Sequence, residues 1–407
     1  MRNDALGPCF LLVAVLAAQP ASGESQLIFP LQRQHVHSSS VVECPNGDLL
    51  AVWFQGSGER SADDVKLMGA RLRQGESAWG PVFLMADTPD IPDCNPVLFI
   101  DVQQRLWLFW VVVQTNRWER SILKYRRAEQ YTSDGPPEWS WQDIILLKPG
   151  EAFQTALSDG FKQIDPPEEM WAEYAPPYSK LLIEAAGDPY KRETGWMTRA
   201  RPLQLASGRL LLPLYSDGFN AGLMGISDDA GATWRASQPI VGLGPIQPTL
   251  ARRDSGEIVA YSRDSGDAPA RILQSVSRDE GETWSLAQDT ELPNPGSSLA
   301  LLALADGRWV LVFNDTESGR HRLAVALSDD EGQTWPHKRY LERDDTRNRG
   351  FGYPTAIEGR DGPIHVTYSY STNEGAAIKH ASFPPEWILA KDQSPGQEKT
   401  QKQEVNR

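Results

Sequence analysis

Cysteine is scarce in this chain. Of 407 residues only three are Cys, and one of them, Cys9, lies in an apolar run near the N-terminus. A disulfide-stapled scaffold is therefore excluded. An oxidising compartment would permit Cys44 and Cys94 to bridge, but a domain of this size needs no staple, and the sequence leaves both outcomes open. Histidine is sparse too: there are six, with no HExxH pattern, and neither Cys44 nor Cys94 sits in a zinc spacing. No metal and no cofactor is expected. Positive charge is in deficit, 40 Lys and Arg against 54 Asp and Glu, a formal net charge of −14. Nucleic acid and anionic membrane both demand a basic surface, so neither is an expected partner. A local cluster of Arg can still oppose the global sign for a small acidic ligand. The run CFLLVAVLAA at 9–18 is far too short to span a bilayer. It follows Arg2 and precedes the small residues Ala21, Ser22 and Gly23, the pattern of a cleaved secretory signal over 1–23. A secreted or periplasmic protein is expected.

Glycine (33), proline (30) and tryptophan (14) are plentiful, and they suit short strands joined by tight turns. One pattern recurs: SDDAGATW, SRDEGETW and SDDEGQTW, starting at 227, 277 and 328. The form is Ser-x-Asp-x-Gly-x-Thr-Trp with a period of about 50, which marks a repeat architecture. The Asp can bond the amides of a tight loop, and the Gly supplies a backbone angle that other residues resist. Asp229, Asp279 and Asp330 are accordingly read as structural. Degenerate copies occur at 71–80 and 131–141.

Upstream of these motifs a strand, a turn and a second strand recur six times, at 37–54, 95–110, 201–215, 247–262, 297–313 and 353–368. Each pair, completed by two more strands around the Asp motif, makes a four-stranded blade. An all-β, six-bladed β-propeller over 24–390 is predicted. The last unit lacks a fourth strand, which 26–33 can supply to close the ring. The stretch 150–195 breaks the period between blades two and three. It is either a surface insertion with a helix or two, or a cap over the propeller mouth in which Trp171, Tyr174 and Tyr178 would suit sugar stacking. The polar tail 391–407 is expected to be disordered.

The innermost strands of a propeller begin around one central funnel. Here their first residues are His37, Asn95, Arg201, Gln247, Ser297 and Tyr353. All are polar, as a binding site requires and as strand starts often are in any case. Arg also recurs at strand positions 199, 263, 271 and 322. Arg271 and Arg322 each stand six residues before an Asp motif. They are either solvated strand ends or a pair of guanidinium forks suited to a carboxylate.

Over roughly 35–383 the chain resembles the predicted-neuraminidase branch of the sialidase-like, BNR-repeat superfamily. The stretches that carry the resemblance are GDLLAVWF, NPVLF, GRLLLPLY, IQPT, LPNP and GYPT, with the three Asp boxes. It implies an Arg triad for a substrate carboxylate, a Tyr nucleophile activated by Glu, and an Asp acid/base. By that resemblance Tyr353 is the nucleophile, and Arg271 and Arg322 are the second and third Arg. The acid/base falls in the loop 56–71, where Glu59, Asp63 and Asp64 are candidates. Two positions depart: His37 stands where the first Arg is expected, and Gln247 where the Glu is expected. The implied function is removal of a terminal acidic sugar from a glycan. A uronate-directed lyase using His37 or Tyr353 as base, and a non-catalytic glycan-binding propeller, are the alternatives.

Overall fold

The computed structural model describes residues 23–164, 178–266 and 268–390. The expectations for the leader, for Trp171 and Tyr174, and for the tail at 391–407 fall outside them. Six antiparallel sheets are arranged as the blades of a six-bladed β-propeller. Blade 1 runs through His35–Glu43, Leu49–Gly56, Lys66–Leu72 and Phe83–Ala86, and blades 2, 4 and 5 repeat the same up-and-down order. In blade 3 the inner strand is broken into Met197–Thr198 and Leu203–Gln204. Blade 6 takes three strands from 350–383, and its fourth is Glu24–Leu27, paired from Glu24 with Ser382 to Leu27 with Lys379. The closing strand thus begins two residues before the predicted segment, and Gln32 returns to bridge Ala376.

Runs of apolar residues drive this arrangement. The second strands of blades 1 to 5 are almost wholly buried on both faces, and Leu106–Val113 has no exposed residue at all. Flat blades stack face to face through these side chains, among them the fully buried Trp53, Trp107, Trp110 and Trp309. Cys44 and Cys94 are both buried and unpaired, so the core needs no covalent bridge.

The Asp boxes are built alike. Ser227 donates to Asp229 Oδ1 at 2.9 Å, the Gly231 amide donates to Ser227 Oγ at 2.8 Å, and Thr233 donates to Asp229 through both its amide and its hydroxyl. The same bonds recur at Asp279 and Asp330. The Thr233 hydroxyl bond, with that of its amide, holds the Asp229 carboxyl down at about 2. Gly231 has φ +85°, and a Cβ there would lie 2.4 Å from the Trp107 ring of the preceding blade. The box Gly is therefore required twice, by its backbone angle and by the neighbour it touches.

The insertion between blades 2 and 3 forms α1 (Gly150–Ile164) and α2 (Tyr178–Ala186). Apolar residues spaced for one helical face, Phe153, Leu157 and Phe161, bury α1 against the propeller. Phe153 meets Trp196 and Phe219 edge-on, with ring centroids 5.6 and 5.0 Å away. The helix thereby backs the turn after Leu210–Ser216, which carries Asp217 and Asn220.

Candidate functional site

Four innermost strands share one irregularity. Their pairing slips by a residue between His37 and Ser40, Cys94 and Val97, Ile246 and Thr249, and Gly352 and Thr355. At each slip one residue takes the left-handed backbone conformation: Ser38 (φ 56°), Asn95 (53°), Gln247 (52°) and Tyr353 (55°). In three of the four, Pro follows, where a missing N–H costs the ladder nothing. A bulge of this kind re-aims a side chain, and a bulky residue at positive φ persists only where the surroundings enforce it. The counterpart of Tyr353 in blade 1 is thus Ser38, one residue after His37.

These strands open on a cavity of about 560 Å³. His37, Asn95, Gln247 and Tyr353 line it, as does Glu59. Much of the remaining wall comes from the connections between the second and third strands of successive blades, which supply Trp118, Asp217, Asn220, Ser265 and Arg320, with Arg263 from the end of a second strand. Tyr178, on α2, reaches this rim and accepts a 2.7 Å bond from Asn220.

Tyr353 is the hub. Its hydroxyl accepts from Arg263 Nη1 at 3.0 Å and, more weakly, from Gln247 Nε2 at 3.4 Å. The guanidinium carbons of Arg199 and Arg320 each lie 5.0 Å from its ring centroid. Arg199 is almost fully buried and donates to the Pro354 carbonyl, and burial lowers it to about 10. It keeps its charge at neutral pH. The His37 ring lies 4.1 Å from that of Tyr353. Burial, then Arg320, His35, Arg199 and Arg263, push His37 well below the ordinary imidazole range, so it is neutral at pH 7. His37 therefore supplies no positive charge at neutral pH, though it has a lone pair to accept a proton. Asn95 donates to Tyr215 at 3.1 Å, and burial drives that phenol well up.

The carboxyl groups sort themselves by place. Glu59 reaches the cavity, whereas Asp63 and Asp64 do not line it. Asp64 accepts the Ser57 amide and hydroxyl and so ties down the loop that bears Glu59, and the Ser57 amide bond lowers its carboxyl. Asp63 accepts from Asn116 at 3.3 Å. Asp217, absent from the sequence reading, is raised by the desolvation of the protein crowded around the mouth, with Arg263 opposing.

Four further residues lie elsewhere than the sequence reading put them. Arg271 is ion-paired with Glu317 at 2.6 Å and Arg322 with Asp345 at 2.8 Å, and neither lines the cavity. Both open the third strand of a blade, two strands out from the innermost one, so equal distance from an Asp box fixes their place in the blade without turning them to the funnel. Arg201 lines a separate, very small cavity with Arg199 and Thr355. Ser297 is buried and outside the large cavity. The guanidiniums at Tyr353 are instead those of Arg199, Arg263 and Arg320.

Several polar atoms at this hub have no protein partner, among them His35 Nε2, Gln247 Oε1 and Arg263 Nε. Unpaired buried donors and acceptors beside a cavity are groups that a polar ligand would satisfy.

Comparison with known proteins agrees with this architecture. The model of the BNR repeat-like domain matches residues 47–160 and 194–366. An anhydrosialidase from Macrobdella decora is 26% identical over 228 residues, 51% of this chain and 28% of that protein. A sialidase from Bacteroides fragilis is 25% identical over 171 residues, 39% of this chain and 31% of that one. The matches span about a third or less of these relatives' own length. Among solved structures, a leech intramolecular trans-sialidase superposes with a TM-score of 0.64 at 13% identity, covering 90% of this chain and 71% of that one. No helix among the described residues is long and apolar enough to cross a membrane.

Proposed function

Because the chain belongs to the BNR repeat-like domain family of the sialidase-like superfamily, we propose that it is a glycosidase of sialidase type that removes a terminal, carboxylate-bearing sugar from a glycan. The observation that carries this reading is the convergence of Arg263 and Arg320 on Tyr353 at the floor of a cavity large enough for one sugar. Guanidiniums bind carboxylates in a fork, and Arg320 and the unpaired Nε of Arg263 would hold the acidic group of the sugar.

In that pose Tyr353 faces the anomeric carbon, as nucleophile or as stabiliser of the developing cation. A phenol attacking a carbon beside a carboxylate meets less repulsion than a charged nucleophile would. Asp217 or Glu59 protonates the leaving oxygen while the bond from that oxygen to the sugar breaks. Water then completes the sugar and returns the proton. Asp217 is the better donor, since its raised carboxyl keeps a proton to higher pH.

One observation favours a second reading. His37 is neutral and touches Tyr353, and Gln247 cannot act as a base. A neutral imidazole beside paired guanidiniums suits proton abstraction next to a neutralised carboxylate, the chemistry of a uronate lyase. Product mass separates the two. Incubation with sialylated and uronate-containing oligosaccharides should release a sugar that has gained water. A product without water that absorbs in the ultraviolet would replace hydrolysis by elimination. Binding with no product from any glycan would leave a binding propeller.

A further inference from the structure

Arg320 has a second face. Besides lining the cavity at Tyr353, it lines a neighbouring open basin of about 330 Å³ with His321, Arg347, Arg349 and Ser371. The basin lies between the turn at 344–349 and the hairpin at 371–373 of blade 6. Its lining carries three guanidiniums and no carboxylate, on a chain whose net charge is −14.

Of the two nearby acids, one pairs with the basin's Arg349 and the other with arginines outside the basin. Asp344 accepts the amides of Thr346, Asn348 and Arg349 and so shapes the turn, lying 3.5 Å from Arg349 Nε. Asp345 is held by Arg322 and Arg343. Arg347, at φ +59°, arches out of this turn, and its guanidinium has no ion-pair or hydrogen-bond partner among the described residues. A second observation is independent of these charges. His321 is only 6% exposed, and its Nδ1 has no partner. A buried, unpaired ring nitrogen in the lining of a basin is a group left for a ligand.

We propose that this basin binds an anionic substituent, carboxylate or sulfate, on the sugar next to the one held at Tyr353. The substrate is then a polyanionic glycan that spans both cavities across Arg320. This rests on the glycan reading above, and it narrows the substrate class from any terminal acidic sugar to chains carrying a second charge.

The test uses the full chain with Arg347 and Arg349 both replaced by Ala. Both are exposed, and neither belongs to the machinery at Tyr353. Binding is measured by calorimetry with three probes: heparin-derived oligosaccharides, which carry sulfate on the sugar next to the uronate, oligogalacturonates, which carry a carboxylate on every sugar, and 3′-sialyllactose as a ligand with one acidic group. The double variant should weaken binding of at least one doubly charged probe about tenfold or more, the scale of one lost charge-assisted bond, and leave sialyllactose unchanged. Loss on the heparin probes alone assigns the basin to sulfate, and loss on the oligogalacturonates assigns it to carboxylate. Arg347→Lys with Arg349→Lys should recover part of the loss, which a purely structural role would not require. Equal weakening of all probes, or none, overturns the subsite. Because binding is read without turnover, a protein that processes no glycan yet loses the doubly charged probes retains the subsite and forfeits the glycosidase reading. Turnover with unaltered binding does the reverse.

Discussion

The Tyr353 hydroxyl accepts a 3.0 Å hydrogen bond from Arg263, two residues that stand 90 positions apart in the chain. Arg263 is the penultimate residue of the second strand of blade 4, and Tyr353 sits in the bulge of the innermost strand of blade 6. The contact exists because the bulge turns Tyr353 out of its own sheet toward the axis.

Tyr353→Phe keeps the ring between its guanidiniums and removes only the hydroxyl. Turnover should fall by about a thousandfold, within the range for loss of a positioned reacting group. The melting temperature should move by only a few degrees. Thermal unfolding alongside product release checks both, and an active Phe variant would take the hydroxyl out of the chemistry.

Asp217 should govern the alkaline side of the rate profile. A general acid must begin protonated, so the rate declines as pH rises through its carboxyl's titration, which desolvation has moved up. Asp217→Asn should erase that decline and lower turnover about 10²–10⁴-fold. Substrates with good leaving groups, which need little protonation, should be affected least. An unchanged profile would pass the role to Glu59.

Gln247 offers a gain-of-function experiment. Its amide lies 3.4 Å from the Tyr353 hydroxyl, so Gln247→Glu places a carboxylate where it can take the phenolic proton. If the reaction is hydrolysis through Tyr353, release of sialic acid from sialyllactose should rise at least tenfold. If His37 works as the base of an elimination, the new charge beside it should leave the rate the same or lower it.

Gly231→Ala tests the repeat rather than the site. The new methyl would meet the Trp107 ring while the backbone held φ near +85°. A loss of roughly 2–3 kcal/mol is expected from strain and overpacking. Asp279→Ala, which removes box hydrogen bonds without a clash, should cost roughly 1–2 kcal/mol. Denaturant melts compare the two, and binding in the central cavity should survive both.

Much of the propeller was legible because its signals are periodic. The Asp boxes mark the turns from third to fourth strands, and the six upstream hairpins are the inner halves of the blades. The axial residues His37, Asn95, Gln247 and Tyr353 were legible by the same register. What escaped has no period. Trp118, Asp217, Asn220 and Arg320 stand on connections of differing length between second and third strands, and their convergence is a property of the closed ring alone. Arg320 stands only two residues before Arg322, but it precedes the strand and faces the axis, whereas Arg322 opens the strand and pairs outward with Asp345. Reading the residues that end or follow each second strand, rather than those at a fixed distance from a box, would have found Glu59, Asp217, Arg263 and Arg320 together.

The strand that closes the ring sets a timetable for folding. Glu24 cannot meet Ser382 until nearly the whole propeller has been synthesised. Blades 1 to 5 hold all their strands in local order and are free to form as they emerge. The sixth must wait for the two ends of the ring to find each other, a long-range closure that slows folding. Until then the axis is not encircled, and Tyr353, which opens the last blade, joins Arg263 and Arg320 late. The central cavity is enclosed only when that last pairing forms, so a molecule arrested before closure would carry most of its blades without an enclosed cavity.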